Sequence, residues 1–402
     1  MSRIIVDSLR GNSASSDAIS LANDGTATAN LTTVNSVTMP NGGFLSNRNL
    51  IINGAMQVAQ RGTSSTSSGY YTVDRFTTDF GGTDEAPTFA QADVASGTTP
   101  YTSGFRKSLK VTNGNQTSGA GTADFIGIGH RIEAQNLATS GWNYVSASSY
   151  ITLSFWVKSS VAQSFKGYVK TSDGSAYIYS FDTGSLSADT WTKVTKTISG
   201  NSNLTINNDT GLGLEFYIWQ FAGTDYTASS VTEDAWASYA SGTRMKDETS
   251  TWYTTNDATF EITGLQLEVG SVATDFEHRS FGDELARCQR YYFNIEGDND
   301  DMAGCPAYAV WHDVQWFQVT FPVPMRANPS YTGSATAGRF YGHNSSNNFN
   351  FNQLTLNINA TDTIYKYCRL INNAVSGTAE DGMAGELNFQ ADNGKLEFSA
   401  EL

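Results

Sequence analysis

The chain has 402 residues, with 39 Asp and Glu against 24 Lys and Arg and a net charge of −15. Charged residues are 16% and hydrophobic residues 39%, below the usual shares of about 25% and about 45–50%. Gly, Ser, Thr and Asn fill the difference. Aromatics hold at 12%, which excludes a disordered chain, because such chains are poor in aromatics and dense in charge. This is the composition of an all-β protein with few apolar anchors and a large polar surface, and the length allows two or three domains. Clustered Lys and Arg, which a phosphate backbone requires, do not occur, so nucleic acid is excluded as a partner. The acidic balance also argues against an electrostatic membrane anchor. No apolar run approaches the roughly 18–20 residues of a spanning helix, so membrane insertion is not expected. The opening, Met1-Ser2-Arg3-Ile4-Ile5-Val6-Asp7, lacks the apolar segment of a signal peptide, which implies synthesis in a cytoplasm without export by that route. Cys288, Cys305 and Cys368 form no CxxC and no metal-ligand spacing, and read as buried free thiols.

Residues 1–48 contain no Trp or Tyr and only Phe44 among the aromatics. Within them, residues 18–28 read strand, Asp24-Gly25 turn, strand. So few large apolar groups cannot build a core alone, so this segment is expected to be ordered by docking or assembly.

Residues 49–280 are strand-rich. Ile151, Leu153, Phe155 and Val157 alternate onto one face, leaving Trp156 and Lys158 on the other. In 212–219, Leu212, Leu214, Phe216 and Ile218 alternate against Glu215, Tyr217 and Trp219. In Phe260–Val269 the apolar parity shifts from even to odd at Gly264, the signature of a β-bulge. Strand-length segments separated by Gly, Asn, Asp and Ser clusters predict a β-sandwich. The stretch 283–290 is helical, with acidic residues opening it and basic residues closing it in keeping with the helix dipole. Residues 291–402 return to strands at 291–294, 316–321, 352–358, 365–371 and 385–389, with Pro322, Pro324 and Pro329 marking a strand end and loop. A second, smaller C-terminal β-sandwich follows.

Several stretches carry a resemblance. Asn49-Leu50-Ile51-Ile52-Asn53-Gly54-Ala55-Met56, Ser154-Phe155-Trp156-Val157-Lys158 and Phe260–Gly270 resemble the opening, a central and the closing strand of galactose-binding-like jelly rolls, as in carbohydrate-binding modules. Ala273-Thr274-Asp275-Phe276-Glu277, then Glu284 to Tyr292 with its Cys288-Gln289-Arg290-Tyr291-Tyr292 run, resemble the module junction of bacteriophage tail fibre and receptor-binding proteins. The stretch 321–329 resembles the start of the domain after that junction, and the strand–Asp-Gly–strand piece resembles the leader of such fibres. The resemblance implies an N-terminal segment docking to other virion proteins (1–48), a jelly-roll β-sandwich (49–280) and a C-terminal receptor-binding tip (281–402). It implies a homotrimer in the virion tail that attaches to host surface polysaccharide. A head fibre or capsid-decoration protein on the capsid surface is the alternative, and a glycan-degrading enzyme a more distant one. Calcium-binding relatives of the jelly roll usually carry acids just after the opening Asn-Gly and on the closing strand. Here Ala55-Met56 and Thr263-Gly264 stand there instead, and Glu268 and Glu277 remain as candidate calcium ligands. No other cofactor is expected.

Glycan binding uses flat aromatic faces among short polar side chains. The candidates are Trp156, Tyr177, Tyr179, Tyr217 and Trp219 on strand faces, and Tyr226, Trp236, Trp252 and Tyr253 in the long aromatic-rich loop 220–257. Trp311, His312, Tyr341 and His343 are candidates in the last domain. Packing beneath a loop or at a subunit interface is the competing reading for each. The acidic run 296–301 lacks the EF-hand ligand order and reads as a solvated turn. No GxSxG, HExxH or P-loop is present, and scattered carboxylates define no glycosidase pair, so no enzymatic activity is expected.

Overall fold

The computed structural model describes residues 47–298, 301–311, 314–333, 338–342, 348–351, 354–357, 367–372, 384–389 and 394–402, and five short strands within the first 46 residues. Those strands are β1 (Ser8–Leu9), β2 (Ile19–Leu21), β3 (Ala27–Ala29), β4 (Thr33–Val34) and β5 (Val37–Thr38). β2 pairs antiparallel with β3, Leu21 opposite Ala27, so the two strands expected there are present; the Asp24-Gly25 turn lies outside the described residues.

Next come β6 (Ser64–Ser65), β7 (Phe76–Gly81), β8 (Thr88–Asp93), α1 (Thr99–Thr102), β9 (Lys107–Thr112), β10 (Phe125–Glu133) and α2 (Ala134–Ala138). They are followed by β11 (Tyr150–Ser159), β12 (Lys166–Thr171), β13 (Tyr177–Asp182), β14 (Thr192–Ser199), β15 (Leu212–Ala222), β16 (Trp236–Ser238) and β17 (Thr259–Val269). They make two six-stranded sheets, ordered β16-β13-β12-β15-β10-β7 and β14-β11-β17-β9-β8-β6. The alternation read in the sequence sets the layers. Leu153, Phe155 and Val157 of one sheet meet Leu214, Phe216 and Ile218 of the other in one core. Phe155 lies 6.0 Å from Phe216, ring centre to ring centre. Burying an apolar side chain of this size contributes about 1.5–3 kcal/mol, so a one-residue slip, which would turn the whole set outward, is strongly disfavoured.

The bulge in β17 is present. Ser154 faces Gln266 while Trp156 faces Thr263, and the register shifts between them. Gly264 takes φ +64 there, and a Cβ would meet the Phe105 ring at 2.6 Å. The opening segment differs from the regular strand expected. It runs beside β17 through Leu50 N–H to Leu267 O and Leu265 N–H to Gly54 O. The left-handed turns at Asn53 (φ 61) and Met56 (φ 58) stop it from pairing further.

Helix α3 (Phe281–Gln289) starts on Ser280, whose hydroxyl accepts from Asp283 N–H. Asp283 and Glu284 lie in its first turn and Arg287 in its last, as the charge pattern predicts. The remaining strands are β18 (Tyr292–Gly297), β19 (Met302–Trp311), β20 (Val314–Thr320), β21 (Ser330–Gly333), β22 (Gly338–Gly342), β23 (Asn348–Phe351), β24 (Thr355–Asn357), β25 (Tyr367–Asn372), β26 (Ala384–Asn388) and β27 (Gly394–Ser399). A seven-stranded sheet, β23-β22-β26-β19-β20-β25-β24, and a three-stranded one, β18-β27-β21, share a separate core that includes Phe317, Val319, Leu387 and Phe398. The chain is thus all-β with two sandwiches. β19, β21, β22, β23 and β27 were not expected from the sequence. Cys288 and Cys305 are buried free thiols. Among the described residues no helix is long and apolar enough to cross a membrane.

The Cys288–Tyr292 run forms the joint between the sandwiches. Cys288 and Tyr291 pack with Ile52, Val58 and Leu402. Arg290 holds the buried Glu133 carboxylate through Nε and Nη2, both at 2.8 Å, and Tyr291 OH donates to the same carboxylate. The buried Arg75 guanidinium lies 3.4 Å from the Tyr291 ring centre and pairs with Glu401.

Candidate functional site

Two outward sheet faces carry aromatic rows, and they differ in what covers them. On the first sheet, Tyr217 and Trp219 project outward as expected. Their rings stack at 5.2 Å and 14°, over the β10 glycines Gly129 and Gly127 that pair with them. A Cβ on Gly127 would lie 2.5 Å from the indole, so glycine lets the ring lie flat on the strand. Tyr168 continues the row 5.5 Å from Tyr217. This row is closed. Met245, Phe125, Tyr226 and Tyr239 pack onto it, and Tyr217 and Trp219 are each only 5% exposed. Residues 223–258 fold back over the sheet, with Arg244 N–H donating to Tyr226 O and Ala228 N–H to Met245 O. Tyr217 OH donates to Asp79 at 2.8 Å, and burial together with that carboxylate pushes its pKa far up.

The same fold-back corrects the reading of the long loop. Trp252 and Tyr253 are fully buried, with the indole N–H on Thr259 O and the phenol on Asp124. Tyr179 and Tyr177 share a face, but it is the core side. Tyr179 is 5% exposed there and Trp236 packs edge-on against it at 5.5 Å. The Trp236 indole donates to Ser199 O at 2.7 Å. Tyr179, Trp252 and Tyr253 therefore offer no open face for a sugar, while Tyr177 and Trp236 are half-buried against the core. Trp311 and Tyr341 lie on β19 and β22, but their side chains, and His312 and His343 altogether, fall outside the described residues.

The second sheet keeps an open cleft, and Trp156 lies in it. The cleft holds 530 Å³, within the roughly 300–1,000 Å³ of small-molecule sites. Its floor is the outward face of β11, β14 and β17, with Ser154, Trp156, Lys193 and Gly264. One wall is the turn after α1, Thr102 to Phe105. The other is the arm that follows β17, with Thr274, Asp275, Phe276 and His278. Phe105, Phe276 and His278 meet as a triangle of rings with centres 4.8, 5.1 and 4.9 Å apart. His278 Nε2–H donates to Ser103 O at 2.9 Å, tying the two walls together. The β17 bulge shapes the cleft by lowering the floor at Gly264, where the Phe105 ring closes in.

The arm is fastened to β17 by the carboxylates considered as calcium ligands. Glu268 accepts from Thr274 N–H at 2.8 Å and Thr274 OH at 2.6 Å, and lies 3.6 Å from Arg48 Nε. Glu277 accepts from Asn47 and Asn49 N–H. The Arg279 guanidinium, 7% exposed, lies 3.0 Å from Glu277 and 3.5 Å from Glu284. It also donates to Asn49 O and, at 3.1 Å, to Ile51 O. Two carboxylates and two carbonyls are the hard oxygen set a calcium ion takes. The Arg279 guanidinium fills that set here, so these residues do not fit a metal ion. Among the described residues no group of three His, Cys, Asp or Glu is placed to hold a metal.

Sequence reading missed Trp191, Phe105, Phe276 and His278. Phe276 belonged to the junction stretch already singled out. Trp191 sits just before β14, a strand whose alternation, Val194 and Ile198 inward, is masked by Thr and Lys between them.

The sequence matches no protein-family model, and no curated protein matches it. Among solved structures, the enzymatically active domain of bacteriophage CBA120 tailspike protein 4 is similar over 55% of this chain, with 12% identity and a TM-score of 0.30. The match spans only 21% of that protein's own length. A family 11 carbohydrate-binding module from Clostridium thermocellum is similar over 53% of this chain and 98% of its own, at 10% identity and TM-score 0.25. An exo-beta-agarase matches over 57% of this chain and 25% of its own, at 11% identity and TM-score 0.27.

Proposed function

We propose that the protein is a glycan-binding structural protein of a phage virion, a tail fibre or receptor-binding protein, and that the Trp156 cleft engages the host surface glycan. The observation that carries the glycan reading is the open aromatic floor of that cleft, set among Ser154, Lys193, Thr274 and Asp275. An indole covers the apolar face of a pyranose ring, and short polar side chains at the rim take its hydroxyls. The virion assignment rests on the Cys288–Tyr292 junction resemblance. Residues 1–48 attach the chain to other virion proteins, 49–280 form the binding body and 281–402 the outer module of a homotrimer. Three copies engaging together raise weak single-site binding by effective concentration. Binding without hydrolysis is part of the reading. Asp275 is the single carboxylate among the cleft's lining residues, and glycoside hydrolysis ordinarily uses a flanking pair.

The test is binding of the full chain to an array of bacterial surface polysaccharides, wild type against Trp156→Ala. The substitution removes the floor and lowers affinity about tenfold or more, while circular dichroism stays unchanged. Wild-type binding that survives Trp156→Ala undiminished refutes the site.

A further inference from the structure

We infer that the cleft selects an acidic saccharide, and that Lys193 with the neighbouring Trp191 determines that preference. The inference rests on the glycan-binding reading above and deepens it.

Trp156 and Lys193 face each other directly across β11 and β14. Two residues along, Lys158 Nζ stands 5.2 Å from the centre of the Trp191 ring. The outward face therefore carries two indoles and two ammonium groups, Trp156 opposite Lys193 in the ladder and Lys158 over Trp191 just beyond its end. The two ammonium groups are not equivalent. Lys158 is neutralised by Glu261 at 2.9 Å, and Glu261 also accepts from Ser108 OH at 2.9 Å. Lys193 is exposed, and among the described residues no carboxylate pairs with it. Lys107, Lys166, Lys170, Lys196 and Lys395 each hold a carboxylate, whereas Lys193 lines the cleft without one in a chain of net charge −15.

A sugar lying on Trp156 and reaching toward Trp191 passes Lys193. A carboxylate or sulfate on that sugar forms a charge-assisted hydrogen bond with the ammonium group. Asp275 on the far wall accepts hydroxyl groups from the same unit, so the acid group is directed to the β14 side. Tryptophan supplies affinity for any pyranose, and Lys193 supplies the difference between acidic and neutral ones. One hydrogen bond to a charged group at an exposed position corresponds to about tenfold in affinity. It weakens as salt shortens the screening length.

The experiment uses the full chain with polygalacturonate and alginate, each paired with its methyl-esterified or carboxyl-reduced form. These pairs differ in charge and keep the sugar ring. Wild type is expected to bind an acidic form about tenfold more tightly than its neutral partner. Lys193→Gln, an exposed strand position, abolishes the preference, Lys193→Arg keeps it, and raised salt erodes it. Trp191→Ala weakens the acidic polymer. Equal wild-type binding to both members of a pair, with Trp156→Ala abolishing both, overturns the acidic preference and leaves the glycan reading standing. Failure to bind any of these polymers, while the array of bacterial polysaccharides shows only neutral glycans bound, overturns the acidic preference, and binding indifferent to Trp156→Ala overturns both.

Discussion

Glu133→Ala at the joint between the sandwiches is expected to cost about 3–4 kcal/mol. Glu133 is fully buried at the end of β10, while Arg290, its partner beyond the joint, is 29% exposed. Removing one member of a buried pair costs about 3–5 kcal/mol, most of it from the group left behind. Arg290 can still reach water, which places the pair at the low end of that range, about 3 kcal/mol. Tyr291, buried, loses the acceptor for its hydroxyl, and an unsatisfied buried hydroxyl adds about 1 kcal/mol or more. Glu133→Gln keeps the shape and one acceptor, so about 2 kcal/mol is expected from the lost charge. Urea unfolding at neutral pH measures both, through the midpoint and slope. The carboxyl adds a pH test. Burial alone would raise its pKa, but the hydrogen bonds from Arg290 and Tyr291 outweigh burial and hold it below the ordinary glutamate value of 4.5. A depressed acid binds fewer protons folded than unfolded, so its stabilisation is complete above pH 4.5 and is lost as pH falls through the folded value. The gap between wild type and Glu133→Gln should be full at pH 7 and close below 4.5. A gap under about 0.5 kcal/mol at neutral pH, the scatter of ordinary surface substitutions, or one that does not narrow in acid, refutes the reasoning.

Three further outcomes are expected. The melting temperature of the wild type is indifferent to EDTA and to added calcium, because Arg279 already neutralises Glu277 and Glu284. Arg279→Ala leaves those carboxylates buried without their cation and costs about 3 kcal/mol, read by differential scanning calorimetry. Light scattering should give three times the monomer mass for the full chain, and removal of residues 1–48 tests whether that segment assembles the trimer. A full-length monomer would sink the free-standing trimeric fibre.

The sequence was most legible where chemistry acts locally. Period-two alternation at Ile151–Val157 and Leu212–Ile218 identified strands and their inward faces, because burial on one face leaves a pattern every second residue. The parity change at Gly264 located the bulge, since a one-residue insertion moves every later side chain to the opposite face. Ser280, Asp283 and Arg287 placed α3 through its cap and dipole. These signals lie within a few residues of one another.

What covers an outward aromatic was decided only by tertiary structure. Trp156 and Trp219 read alike along the chain, each the polar-face residue of an alternating strand. Trp219 lies under residues 223–258, while Trp156 lines an open cleft. The difference is made by segments dozens of residues away, and no local pattern encodes it. Tyr177 and Tyr179 shared a face in the sequence, but which face met the core depended on the partner sheet. The fate of Glu277 and Glu268 was hidden in the same way. Whether a carboxylate meets a metal or an arginine depends on which cation the fold brings to it, and here Arg279 and Arg48 are the cations it meets. Composition and period thus determine an all-β chain and its inward faces, because they follow from the burial of individual residues. The site depends on which distant segments pack over which face, and that is a property of the assembled fold.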